Sequence, residues 1–160
     1  IMVINILQKK RVTNGMTKDQ LEIYKDREVS VNPNIIKAGA IYQKFNQEAF
    51  KQKFGDEGAK IYRGVHSDYA KNINSLASTN SDKQVNIKLN AITSFSTDKS
   101  VSSDFKKGYA VKKTSDHEAT LSTTIKAHQI WDSHFTSSGL IPYQEITIVG
   151  KSIITVTVGE

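Results

Sequence analysis

Ala59-Lys60-Ile61-Tyr62-Arg63-Gly64 is the stretch at which this chain changes character. From here on, short runs rich in β-branched and aromatic residues are bounded by Gly, Ser and Asn, a strand-and-turn texture. Lys60 to Arg63 reads as a short strand stopped by Gly64. Upstream the spacing is helical. Ile36, Ile41, Tyr42, Phe45 and Phe50 recur roughly at helical intervals after Pro33, and Gly55, Asp56 and Gly58 end the pattern. Earlier still, Thr17-Lys18-Asp19-Gln20 fits a capping box with Thr17 as N-cap, followed by Leu21, Ile23 and Tyr24 as a partial apolar face. Ile1 to Leu7 reads as a strand or packing arm.

Downstream, a helix is expected over Ser67 to Leu76, capped by Ser67 or Asp68, and a Ser/Asn-rich loop over Ala77 to Lys83. Val85 to Leu89 and Ala91 to Ser96 read as strands. Asp98 opens a short helix to Phe105, which Lys106-Lys107-Gly108 breaks. Lys112 to Glu118 reads as polar loop, Ala119 to Ile125 as strand, and Trp131 to Gly139 as loop. The last two β-rich runs, Ile146 to Val149 and Ile153 to Val158, are separated by Gly150-Lys151-Ser152 and read as a hairpin. Helices first and strands after give an α+β arrangement, not alternating βαβ units. At 160 residues one domain is expected, helical over about 1–58 and β-rich over about 59–160.

Composition narrows the chemistry. There are no cysteines, which excludes disulfides, thiolate zinc sites and cysteine nucleophiles. The four histidines, His66, His117, His128 and His134, show no H-x-x-x-H or H-E-x-x-H spacing, so no metal site is expected. Neither G-x-G-x-x-G after a strand nor G-x-x-x-x-G-K-S/T occurs, which argues against a Rossmann site and a P-loop. No apolar run approaches the roughly 18 residues of a membrane span. The net charge of +6 suits an acidic partner: nucleic acid, an acidic inhibitor or the pyrophosphate of a dinucleotide.

Three segments carry residues suited to chemistry. Arg63 ends a strand at Gly64; its planar fork suits phosphate, and Gly64 lets a ligand or another backbone come close. In Ile92-Thr93-Ser94-Phe95-Ser96-Thr97, alternation points both serine hydroxyls one way and Phe95 toward the core. In Pro142-Tyr143-Gln144-Glu145-Ile146, the carboxylate sits at a strand mouth, with Ile146 and Ile148 on the core side. Taken singly, each has an ordinary reading: a surface ion pair, a Ser/Thr strand, a solvated strand-end glutamate. Lys106-Lys107 and Lys112-Lys113 have the two readings of solvated loop and nucleic-acid guide.

Taken in order, Arg63, Ser94-Phe95-Ser96 and Glu145 resemble the Arg-Ser-Glu class of mono-ADP-ribosyltransferases. The likeness covers about residues 59–150 and looks closest to the single-domain versions in bacterial toxins and phage minor head proteins. It implies an antiparallel two-sheet β core and NAD as substrate, with no metal. It implies that Arg63 holds the NAD phosphates, that Ser94 positions Glu145, and that Glu145 stabilises the oxocarbenium-like transition state as nicotinamide leaves. Gly64 and Ser96 would border the NAD site, and Phe105 or Tyr109 would stack on nicotinamide. Two departures stand out: Phe95 occupies the middle of the family's Ser-Thr-Ser motif, and Tyr143 stands where the family usually has Glu or Gln facing the acceptor. Tyr143 is therefore the acceptor-recognition candidate, and it speaks against an arginine acceptor. The implied protein is a secreted or injected toxin domain acting in a target-cell cytoplasm, or a phage-encoded cytoplasmic protein. Its acceptor would be a protein in preference to a nucleic acid, and an acidic immunity protein would be a fitting partner. The alternatives are an NAD glycohydrolase and a catalytically degenerate basic binding module.

Overall fold

The computed structural model describes residues 18–19, 33–89, 93–108, 111–133, 145–148 and 153–159. The expected N-terminal arm, the Thr17 cap, and residues Tyr109, Tyr143 and Gln144 lie outside the described residues; Lys18 and Asp19 are helical.

Helix α1 (Pro33–Phe54) opens with proline, whose fixed φ suits the first helical turn. Lys51 and Lys53 in its last turn oppose the helix dipole. It stops where Gly55 takes φ 65 and donates its N–H to the Lys51 carbonyl at 2.7 Å. Of the apolar positions expected to form its inner face, Phe50 is fully buried and packs against Phe54 with ring centroids 4.8 Å apart and planes tilted by 48°, while Ile41 and Phe45 are exposed. Gln47 donates from Nε2 to the carbonyls of His128 and Ile130, which fixes α1 against the β-region.

The chain then runs through β1 (Ala59–His66), α2 (Ser67–Ser78), β2 (Gln84–Lys88), β3 (Thr93–Ser96), α3 (Lys99–Lys106) and β4 (Glu118–Ile125). A 3₁₀ turn (Ala127–Gln129), β5 (Ile130–Ser133), β6 (Glu145–Ile148) and β7 (Ile153–Gly159) complete it. Helix α2 buries Ala70, Ile73 and Ala77, one face at helical spacing. Asp98 caps α3: its Oδ1 accepts from the Ser100 N–H at 2.8 Å and from the Ser100 hydroxyl at 2.7 Å. The expected α+β class holds, with the strands in antiparallel pairs.

Three expectations need correction. The described strands form one seven-stranded sheet, ordered β2-β7-β4-β1-β3-β6-β5, where two sheets were expected. Among the described residues its two parts, β2-β7-β4-β1 and β3-β6-β5, meet through a single residue pair, Tyr62↔Ser96. By contrast β1 and β4 pair over eight residues, from Ala59↔Ile125 to His66↔Glu118. The tail is not a hairpin: β6 pairs with β3 and β5, whereas β7 pairs with β2 and β4. Strand alternation fixes which side chains face the core, but not which strand lies alongside. Trp131 is not in a loop but in β5, 5% exposed, its ring 6.2 Å from that of Tyr42. The core lies on the sheet, with Ile61, Leu121, Ile125, Ile130, Ile146 and Val156 all but fully enclosed.

Candidate functional site

The single-pair seam between β1 and β3 decides the site. Continuing the antiparallel register from Tyr62↔Ser96 by two residues on each strand would set Gly64 opposite Ser94. That pairing does not form. Instead the Arg63 guanidinium donates from Nη1 to the Ser94 carbonyl at 2.7 Å. A side chain takes up an acceptor that the next ladder step would have used, and the sheet opens beyond it. A charge-assisted bond of this kind contributes about 1.5–3 kcal/mol.

A cavity of about 340 Å³ lies at this opening, near the lower end of the roughly 300–1,000 Å³ typical of small-molecule sites. Arg63, Gly64, Ser94, Ser96 and Glu145 all border it, and Val101, Phe105 and Val111 supply apolar wall. A larger hollow of about 410 Å³ at the β2 edge is lined by Asn80, Asp82, Gln84 and Asn86 and has little apolar wall. The mixed chemistry of the seam cavity, rather than size, makes it the candidate.

Each side chain is placed by its element. On β3, Phe95 is buried in the core and Ser94 faces the cavity side, as alternation requires. Ser96 stands opposite both Tyr62 and Glu145, so Tyr62, Ser96 and Glu145 form one row across three strands. Ser94 stands opposite Thr147. The cross-strand neighbour of Glu145 is thus Ser96, with Ser94 two positions along the same face; Ser94 reaches Arg63 through its carbonyl. Ser96 Oγ accepts the Asp98 N–H at 3.0 Å, tying β3 to the start of α3.

Gly64 is where helix and strand backbones meet. A Cβ there would fall 1.9 Å from the Ser102 carbonyl oxygen and 2.6 Å from the Lys106 nitrogen. The close approach is made by α3, whose Val101 and Phe105 are thereby held over the cavity.

Electrostatically, the site sets a fixed cation near an anion that makes no described hydrogen bond or ion pair. Burial pushes the Arg63 guanidinium below its ordinary value, opposed by Tyr69 and then by Glu145. Arginine stays charged through such a shift. Its one described bond leaves further N–H donors on the fork. Among the described residues, no ion pair or hydrogen bond engages the Glu145 carboxylate. Burial likewise raises the Tyr69 phenol, and Arg63 opposes that rise. Among the described residues no group of three or more His, Asp or Glu is placed to hold a metal ion, and no helix is long and apolar enough to cross a membrane.

Tyr69, Ser102 and Val111 are the neighbours that sequence reading missed. Val101 and Phe105 stand four apart in α3, a signal of one shared face. For Val111 and Tyr69 no local pattern exists, because both enter through the tertiary fold. Comparison with protein-family models, with curated proteins and with solved structures returns no match.

Proposed function

We propose that the chain is a mono-ADP-ribosyltransferase that cleaves the nicotinamide–ribose bond of NAD and transfers ADP-ribose to a macromolecular acceptor. One observation carries this reading: Arg63, Ser94, Ser96 and Glu145, drawn from three separate strands, border one cavity with an apolar wall. The resemblance of their order to the Arg-Ser-Glu transferases supports it.

The chemistry follows from the charges. The C–N bond to the nicotinamide breaks with its electron pair leaving on the ring nitrogen, which neutralises the pyridinium. Positive charge gathers on the ribose carbon and ring oxygen. The Glu145 carboxylate, fixed at a strand start and engaged by no described hydrogen bond, stabilises that charge most in the transition state. The acceptor then supplies an electron pair to the same carbon and releases a proton. The free donors of Arg63 suit the pyrophosphate, and the Phe105 ring suits an apolar, planar leaving group.

The test is incubation of the protein with labelled NAD and cell lysate. Label on a macromolecule together with nicotinamide release is expected. Free ADP-ribose without a labelled acceptor would select an NAD glycohydrolase. Neither product, with Glu145→Ala indistinguishable from wild type, would sink both readings; salt-sensitive nucleic-acid binding in that case would favour a binding module.

A further inference from the structure

The segment after α3 brings Val111 to the rim of the cavity, where it is 65% exposed. This segment, residues 111–117, has no regular structure between α3 and β4, yet its backbone is tied down, chiefly by one residue. Ser67, the first residue of α2, holds it twice. The Ser67 N–H donates to the His117 carbonyl at 2.8 Å, and the Ser67 hydroxyl oxygen accepts the Thr114 N–H at 2.9 Å. His66 Nδ1 lies 2.9 Å from the same oxygen. A hydroxyl has one proton to give and two lone pairs. Whichever of His66 Nδ1 and the hydroxyl donates, the Ser67 oxygen keeps a lone pair for Thr114. Asn74 adds a bond from Nδ2 to the Glu118 carbonyl at 3.1 Å, and Lys113 ion-pairs with Glu118, closing the far end of the segment.

The backbone of Ser67 makes this arrangement informative. Its φ is +61, in the left-handed region where a non-glycine residue is strained. Glycine would adopt that φ without strain but would leave the Thr114 N–H without its acceptor. Serine bears the conformational strain and supplies the hydroxyl. Ser67 is itself buried and does not border the cavity.

We infer that Ser67 is a positioning residue of the cleft: its hydroxyl tethers Thr114 and so sets the place of Val111 at the cavity rim. The kinetic part of the test rests on the NAD reading above; the exchange part does not. Two variants are measured, Ser67→Ala, which removes the hydroxyl, and Ser67→Gly, which removes the hydroxyl and the strain together. Amide hydrogen exchange at Thr114 should quicken roughly tenfold in both, with Leu121 and Ile146 in the strands unchanged as controls of folding. The KM for NAD should rise several-fold while kcat stays within about twofold, because the reacting groups are untouched. Unchanged exchange at Thr114 would overturn the inference, as would protection retained in Ser67→Gly, since a tether cannot outlast its hydroxyl. A fall in kcat at constant KM would also overturn it. Should wild-type protein not turn over NAD, the NAD reading alone fails, and exchange at Thr114 still decides the tether.

Discussion

The Arg63 guanidinium sits on the Ser94 main-chain carbonyl at 2.7 Å, at the point where β1 and β3 stop pairing. One side chain therefore has two tasks: it joins the two parts of the sheet and borders the cavity between them. Arg63→Ala should cost about 2 kcal/mol of stability, read from the urea midpoint, because the carbonyl loses a charged donor. NAD affinity should fall at least about tenfold in the same variant. Arg63→Lys keeps the charge but not the fork, and should recover part of the stability and little of the affinity.

Glu145→Gln separates charge from shape. The carboxylate makes no described hydrogen bond or ion pair, and its longer-range attraction to Arg63 ranks last among the influences on that guanidinium, so stability should change by no more than about 0.5 kcal/mol. Nicotinamide release should fall at least about 100-fold while NAD binding persists. Loss of folding or of NAD binding in this variant would remove Glu145 from the role assigned to it.

Gly64→Ala is expected to be among the more damaging single-methyl changes. The added carbon would meet the Ser102 carbonyl at 1.9 Å and the Lys106 nitrogen at 2.6 Å, both backbone atoms that cannot swing aside. Displacing α3 should cost about 3 kcal/mol and carry Val101 and Phe105 away from the cavity. A thermal melt reads the first effect and NAD binding the second.

Acid should loosen α3 selectively. Bonds from the Ser100 hydroxyl and N–H hold Asp98 below its ordinary value. A carboxylate depressed in the fold contributes stability that is present above the ordinary value of 3.8 and is lost as pH falls from there toward the folded value. Glu118, depressed chiefly by its bond to Lys113, acts in the same direction, so the comparison must be between variants. Asp98→Asn retains a capping oxygen but cannot titrate. Amide protection at Ser102 and Ser103 should therefore fall below about pH 3.8 in the wild type and stay level in Asp98→Asn.

Much of the local structure was legible because it follows local rules. Pro33 and Gly55 bracket α1, Asp98 opens α3, and alternation in Ser94-Phe95-Ser96 sends Phe95 inward. Strand partnership was not legible. Ile146–Ile148 and Ile153–Val158 carry hairpin-like runs around Gly150-Lys151-Ser152, yet their neighbours come from residues 84–96 and 118–133. Trp131 resembled a loop anchor because four residues give too short a run to show alternation. The candidate residues Arg63, Ser94, Ser96, Gly64, Phe105 and Glu145 could be named from their segments and their order. What could not be read was the bond from Arg63 to a main-chain oxygen 31 residues away, or the hold of Ser67 on Thr114 47 residues on. Such contacts depend on where the chain returns in space, and neither end of them carries a local mark.

The place of β7 in the sheet has a consequence for how the molecule is made. Among the described strands, β2 has β7 as its neighbour, and β7 also covers the outer side of β4. A ribosome delivers β7 after every other described strand. Until it emerges, β2 has no ladder to join and β4 presents a bare edge to the surroundings. This part of the molecule therefore assembles late and through distant contacts, a topology associated with slow folding and with exposure to aggregation on the way. A nascent chain stopped before Ile153 would hold the segments that border the cavity without the strand that completes the sheet beside them.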